Sequence, residues 1–206
     1  MSRLHDLGMK YGTDKATFHG YCDFYQDQLP IWVRSLLEIG VMDGYSLRMW
    51  RDYYPDAEIV GLDNSRTPKV PGCFVVRGDA TDVAFVDDLV EARGPFDVII
   101  DDGSHMTADQ QKTFELLWPA VRPGGVYVIE DLHTSHMSNY VNSEQTTLEW
   151  LETVGTATDV TVWGRAQGEA AGFLARHGFP ADALEWSGPE IAESITSIIR
   201  KPGRVG

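Results

Sequence analysis

Short runs rich in Val, Ile and Leu recur along the chain, and between them lie longer stretches in which apolar residues return every third or fourth position. The first pattern marks buried strands and the second marks helices with one packed face. Strands are predicted over residues 35–40, 57–63, 73–77, 96–101 and 125–130, and helices over 45–53, 82–92 and 107–121. Regular alternation of the two predicts an α/β fold, a mostly parallel sheet flanked by helices. Thr107 and Gln110 have the spacing of a capping box at the start of the last of these helices. Pro123-Gly124-Gly125 is expected to end that helix and turn the chain into the next strand. Beyond Asp131 the periodicity weakens; it predicts helices over 147–154 and 166–177 and strands over 184–186 and 195–199, with an antiparallel strand completing the sheet. No internal repeat or linker interrupts the pattern, so residues 1–206 read as a single domain. Its parts are a cap segment over 1–30, a core over 35–135, and a substrate loop with sheet completion over 136–206.

Composition narrows the function. With 43% hydrophobic and 23% charged residues, the 206-residue chain has ordinary globular content for one sizeable core. A formal net charge of −14 argues against a nucleic-acid partner, which requires a positive face to displace counterions from the phosphate backbone. No apolar run approaches bilayer length, and the opening Met1-Ser2-Arg3-Leu4-His5-Asp6 lacks a signal-peptide core, so the expectation is a cytoplasmic protein with no membrane partner. Cys22 and Cys73 stand far apart, without metal-ligand spacing, and read as core thiols.

Parallel sheets bind ligands beyond the carboxyl ends of their strands. After the first strand comes Glu38-Ile39-Gly40-Val41-Met42-Asp43-Gly44, in which Gly40 and Gly44 are spaced GxxxG. A dinucleotide fingerprint would read GxGxxG, its middle glycine admitting the pyrophosphate. Without that glycine, a tight turn beside an acidic residue fits S-adenosylmethionine better, Glu38 being a partner for the ammonium group. Asp63, ending the second strand, is placed to accept from ribose hydroxyls, and Asp79, after the third, to meet the adenine. For Gly40 and Gly44 alone, a plain strand-to-helix turn is an equal reading.

The fourth strand ends in Asp101-Asp102-Gly103-Ser104-His105 and the fifth in Glu130-Asp131-Leu132-His133. Successive strand residues point to opposite sides, so Asp101 is assigned to the cofactor and Asp102 to a different role. Asp102, Glu130 and Asp131 gather hard oxygen ligands at adjacent strand ends, where like charges need a cation; magnesium is the first choice and manganese the second. His105 is the candidate general base for an alkyl hydroxyl, with His133 and His136 as rivals in a polar segment, 133–143, read as a mobile substrate loop. Taken singly, each of these residues is better explained as a turn former, a loop residue or a hydrated strand end; the combination of paired acids at two neighbouring strand ends favours the metal site.

The run Asp101-Asp102-Gly103-Ser104-His105 followed by Tyr127-Val128-Ile129-Glu130-Asp131-Leu132 resembles the metal-dependent sugar O-methyltransferases of antibiotic biosynthesis, of the macrocin and mycinamicin type. Tyr11-Gly12-Thr13-Asp14-Lys15 with His19 and Tyr21 extends the resemblance upstream. It implies a Rossmann-like class I methyltransferase fold whose core over 35–135 binds cofactor and metal. Asp102, Glu130 and Asp131 would then bind magnesium, which also chelates neighbouring sugar hydroxyls, and His105 would take the proton. Thr13 and Lys15 would lie in a segment able to close over the cofactor, a structural cap being the equal reading. The acceptor implied is a nucleotide sugar or a glycosylated natural product, the assembly a homo-oligomer, and the additional N-terminal domain of the macrolide enzymes is expected to be lacking. A catechol-type O-methyltransferase and a non-catalytic cofactor-binding subunit are the competing readings.

Overall fold

The computed structural model describes residues 1–154, 159–165 and 194–203. The five predicted strands form where expected: β1 Ser35–Ile39, β2 Glu58–Asp63, β3 Cys73–Arg77, β4 Phe96–Asp101 and β5 Val121–Ile129. Two more, β6 Asp159–Arg165 and β7 Ser194–Arg200, complete a sheet whose order among the described residues is β3-β2-β1-β4-β5-β7-β6. The first five strands pair in parallel, whereas β7 runs antiparallel to both β5 and β6. The antiparallel strand predicted over 195–199 is therefore present as β7. β6 was not predicted, and the elements predicted over 166–177 and 184–186 lie outside the described residues.

Both faces of the sheet are covered, and alternation along each strand sorts the core into two layers. Leu37, Ile39, Ile99, Tyr127 and Ile129 point to one side, against α5 Val83–Arg93, α6 Thr107–Leu117 and α7 Thr147–Val154. Leu36, Val98, Ile100, Val126 and Val128 point to the other, against α1 Arg3–Tyr11, α3 Tyr21–Gln28 and α4 Tyr45–Tyr53. The N-terminal segment is thus helical, with the short α2 Asp14–Thr17 between α1 and α3. Gly8 allows α1 to pack closely here: a Cβ at that position would come within 2.5 Å of the Ala16 side chain.

Two local readings need correction. The capping box does not form, because the N-cap of α6 is Met106 and Thr107 is already inside the helix. Asn142 takes the capping role, its side-chain oxygen accepting from the Ala108 N–H at 2.8 Å, while Gln110 donates to the Glu130 carbonyl at 3.1 Å. The helix also ends at Leu117, and a 3-10 turn over Trp118–Ala120 leads directly into β5. Pro123-Gly124-Gly125 lies within that strand, where the pairing of β4 with β5 shifts register between Phe96 and Val98. The irregularity tolerates a residue with no N–H and a glycine at φ +82°.

Candidate active site

In the order β2-β1-β4, the chain leaves β1 toward one side and β4 toward the other, so the segments after these two strands flank a crevice. Gly40 begins the first segment at φ +82°. A Cβ there would lie 1.8 Å from the Asp102 carbonyl oxygen, so only glycine lets the backbones after β1 and β4 meet. Gly44, at φ +75°, starts α4 and packs against Val70 and Pro68; it serves the turn and does not line the crevice.

The crevice encloses about 450 Å³, the scale of a small-molecule site, and Gly40, Asp63, Asp79, Asp101, His105 and Asp131 are among the residues that line it. Asp63 already accepts from the backbone N–H groups of Ser65, Arg66 and Met42 at 2.8, 2.8 and 3.0 Å. Burial opposes its ionisation, but these donors outweigh burial and hold its pKa below the usual value. Asp79 accepts from the Thr81 N–H and hydroxyl, both at 2.8 Å. Asp101 is buried, and burial pushes its carboxyl up to about 7, against the opposing donors Gly103 N–H and Tyr127 hydroxyl.

Behind the crevice, the buried Lys15 ammonium lies 2.5 Å from Asp102 Oδ2, 3.0 Å from Glu130 Oε2 and 3.3 Å from Glu38 Oε1. Glu38 also accepts from the Ser46 hydroxyl at 2.7 Å. Its ammonium partner in the structure is therefore Lys15, and it does not line the crevice. Burial alone would depress the Lys15 pKa, yet Asp102, Glu130 and Glu38 raise it well above the ordinary lysine value. Thr13 is buried as well, its hydroxyl 3.3 Å from Asp14 Oδ1, and Asp14 is the residue of this segment that reaches the crevice.

Asp131, at φ +54°, accepts from the Tyr21 hydroxyl at 2.9 Å and has ring nitrogens of His19, His105 and His133 around it at 3.6, 3.7 and 3.9 Å. Burial disfavours its charge, but the three histidines and Tyr21 prevail and lower its pKa. His105 adopts φ +59°, and its carbonyl accepts from the Thr134 hydroxyl at 3.1 Å. Such backbone outliers cluster where a site over-determines its geometry. The segment after β5 is not a free loop: a 3-10 helix spans Leu132–His136, and Thr107 donates its N–H to the Tyr140 carbonyl at 3.0 Å.

Asp102, His105 and Asp131 each present a ligand atom within 4.8 Å of the others, a set able to hold a metal ion. Glu130 stands beside it, tied by one oxygen to Lys15. Among the described residues, the buried atoms of this cluster without a hydrogen-bond partner are Glu38 Oε1, His105 Nδ1, Glu130 Oε1 and His133 Nδ1. Orphaned buried acceptors and a carboxylate-rich donor set fit a hard divalent cation such as magnesium or manganese. Lys15, His19 and Tyr21 carried no predicted contact with this cluster. Lys15 meets Asp102 and Glu130 across 87 and 115 positions of chain, beyond the reach of any local spacing.

Residues 37–132 match the family model described as a methyltransferase domain. The chain is 38% identical over 151 residues to the mycinamicin VI 2''-O-methyltransferase of Micromonospora griseorubida, covering 66% of this chain and 38% of the relative. It is 37% identical over 145 residues to the 8-demethyl-8-alpha-L-rhamnosyl tetracenomycin-C 2'-O-methyltransferase of Streptomyces olivaceus, covering 65% and 38%. Among solved structures, the methyltransferase MycE of the mycinamycin biosynthetic pathway, in complex with Mg, SAH and mycinamycin VI, superposes with a TM-score of 0.69 at 26% identity, over 100% of this chain and 56% of that one. The chain spans about four tenths of the length of these curated relatives.

Proposed function

We propose, from the match of residues 37–132 to a methyltransferase-domain model and the similarity to natural-product sugar O-methyltransferases, that the chain is an S-adenosylmethionine-dependent, magnesium-dependent O-methyltransferase acting on a sugar hydroxyl. The acceptor is a nucleotide sugar or a glycosylated natural product. The observation that carries this reading is the convergence of Asp102, His105 and Asp131 within 4.8 Å at a crevice bounded by the Gly40 turn.

Gly40, Asp63, Asp79 and Asp101 line the part of the crevice assigned to S-adenosylmethionine, which supplies the methyl group. Asp102, Glu130 and Asp131 would hold magnesium or manganese, which supplies Lewis acidity that makes an alcohol easier to deprotonate. His105 takes the hydroxyl proton at Nε2, the nitrogen that faces Asp131 Oδ2 at 3.7 Å, so the carboxylate offsets the positive charge that arises on the ring. The Thr134 hydroxyl lies within hydrogen-bond distance of the Asp131 carbonyl at 2.7 Å and the His105 carbonyl at 3.1 Å, tying the His105 segment to the end of β5. We read residues 1–30 as a cap on this site, 35–135 as its core and 136–206 as substrate loop and sheet completion. No described helix is long and apolar enough to cross a membrane, and we place the protein in the cytoplasm as a homo-oligomer whose partners are small molecules.

Transfer of labelled methyl from S-adenosylmethionine to a panel of nucleotide sugars, glycosides and catechols, with magnesium or with chelator, tests the reading. Sugar methylation abolished by chelator is expected; turnover indifferent to chelator would remove the metal, and turnover confined to catechols would replace the acceptor. His105→Ala should lower turnover roughly 10²- to 10⁴-fold while cofactor affinity is unchanged. A variant with full turnover would pass the role of base to His133.

A further inference from the structure

Lys15 has no part in the chemistry above, yet it is 0% exposed and meets carboxylates that end or follow β1, β4 and β5. An ammonium has a donor for each of the carboxylates it meets here. It hydrogen-bonds one oxygen each of Asp102 (Oδ2) and Glu130 (Oε2), and forms an ion pair with Glu38 Oε1 at 3.3 Å without a hydrogen bond. The second oxygen of Glu38 is taken by Ser46, whereas the second oxygen of Glu130 is buried and unpartnered. We propose that Lys15 is a positioning residue for the divalent-ion site, holding one oxygen of Asp102 and one of Glu130 so that each carboxylate keeps its other oxygen for the cation.

A lysine among carboxylates could instead be the metal's competitor, filling the place that the ion would take. The geometry favours positioning, because Asp102, His105 and Asp131 are gathered within 4.8 Å while the ammonium is in contact with Asp102. Lys15 also reaches Glu38, which lies off the crevice and outside the ligand set, so its seat is not the cation's seat. Carboxylates brought together at strand ends repel, and an ammonium fixed among them sets their rotamers in advance. Supporting groups of this kind change metal affinity by roughly 10- to 100-fold when removed.

This role rests on the metal-dependent reading, and manganese binding, followed by electron paramagnetic resonance and calorimetry without substrate, separates the two. The unsubstituted protein should bind Mn²⁺; if it does not, the metal reading falls and the positioning role with it. Given that binding, Lys15→Met should lose roughly 10- to 100-fold in Mn²⁺ affinity, and equal or tighter binding by the folded variant would overturn the proposal in favour of a competitor or a bystander. Should Lys15→Met fail to fold, the double variant Lys15→Met with Glu38→Gln, which removes one buried charge of each sign, is compared with Glu38→Gln alone. A weaker Mn²⁺ affinity in the double variant is expected. Equal affinity in the pair would show that Lys15 only balances charge, and would overturn the role.

Discussion

At the scale of single residues, Gly40 bears the tightest constraint in the site. A side chain there faces two separate costs: about 1–2 kcal/mol for the left-handed backbone, and a collision with the Asp102 carbonyl that cannot be relieved without moving β4's continuation. Gly40→Ala is therefore expected to lose several kcal/mol of stability and to abolish S-adenosylmethionine binding, as read by urea unfolding and calorimetry; a variant that binds the cofactor normally would show that the two backbones can separate cheaply. The sequence made Gly40 legible as a turn but not as a contact, since the atom it must avoid belongs to residue 102. Asp102, His105 and Asp131 were legible because acids and a histidine at neighbouring ends of parallel strands converge on one edge whatever the details of packing. Glu38 was expected at the cofactor's ammonium group, and its pairing with Lys15 was not legible because Lys15 lies far away in the chain, in a helix of only four residues.

At the scale of elements, the βαβ framework from β1 to β5 could be read from periodicity alone, and the failures came where distant chain completes an element. The start of α6 shows why. Thr107 and Gln110 have capping-box spacing, yet the cap is Asn142, whose side-chain oxygen accepts from the Ala108 N–H and from the Thr107 hydroxyl at 3.2 Å. Removing it as Asn142→Ala should lower stability by about 1 kcal/mol, the usual value of such a cap. Thermal unfolding checks this, and an unchanged midpoint would mean that Ser143, bonded to the same Thr107 hydroxyl at 2.7 Å, suffices. β6 escaped detection for a related reason: among the described residues it pairs on one side only, with a strand that comes later in the chain. Pro123-Gly124-Gly125 misled in the other direction, because punctuation residues are admitted where the β4–β5 register slips.

At the scale of the whole molecule, the fold's response to pH should carry the mark of Asp101. Its carboxyl titrates near 7 in the folded protein against an ordinary 3.8, so the fold favours the neutral form. The stability this contributes is complete below about pH 3.8 and is lost as pH rises through about 7. In Asp101→Asn the amide cannot ionise, so the variant's stability relative to the unsubstituted protein should rise between pH 5 and pH 8 by up to a few kcal/mol. Urea unfolding in chelator at both pH values measures the difference, and a gap that does not change with pH would place the titration elsewhere.

Where Gly40 rests on the Asp102 carbonyl, the segment proposed to cradle the nucleoside and the segment proposed to supply a metal ligand share a backbone contact. Neither can shift without the other, so the two ligands report to each other through a few atoms of main chain. Thermodynamic reciprocity then applies: whatever factor magnesium adds to the affinity for S-adenosylmethionine, S-adenosylmethionine must add to the affinity for magnesium. Calorimetric titration of each ligand in the presence and absence of the other measures that shared factor, and a factor of one would mean that the contact transmits nothing.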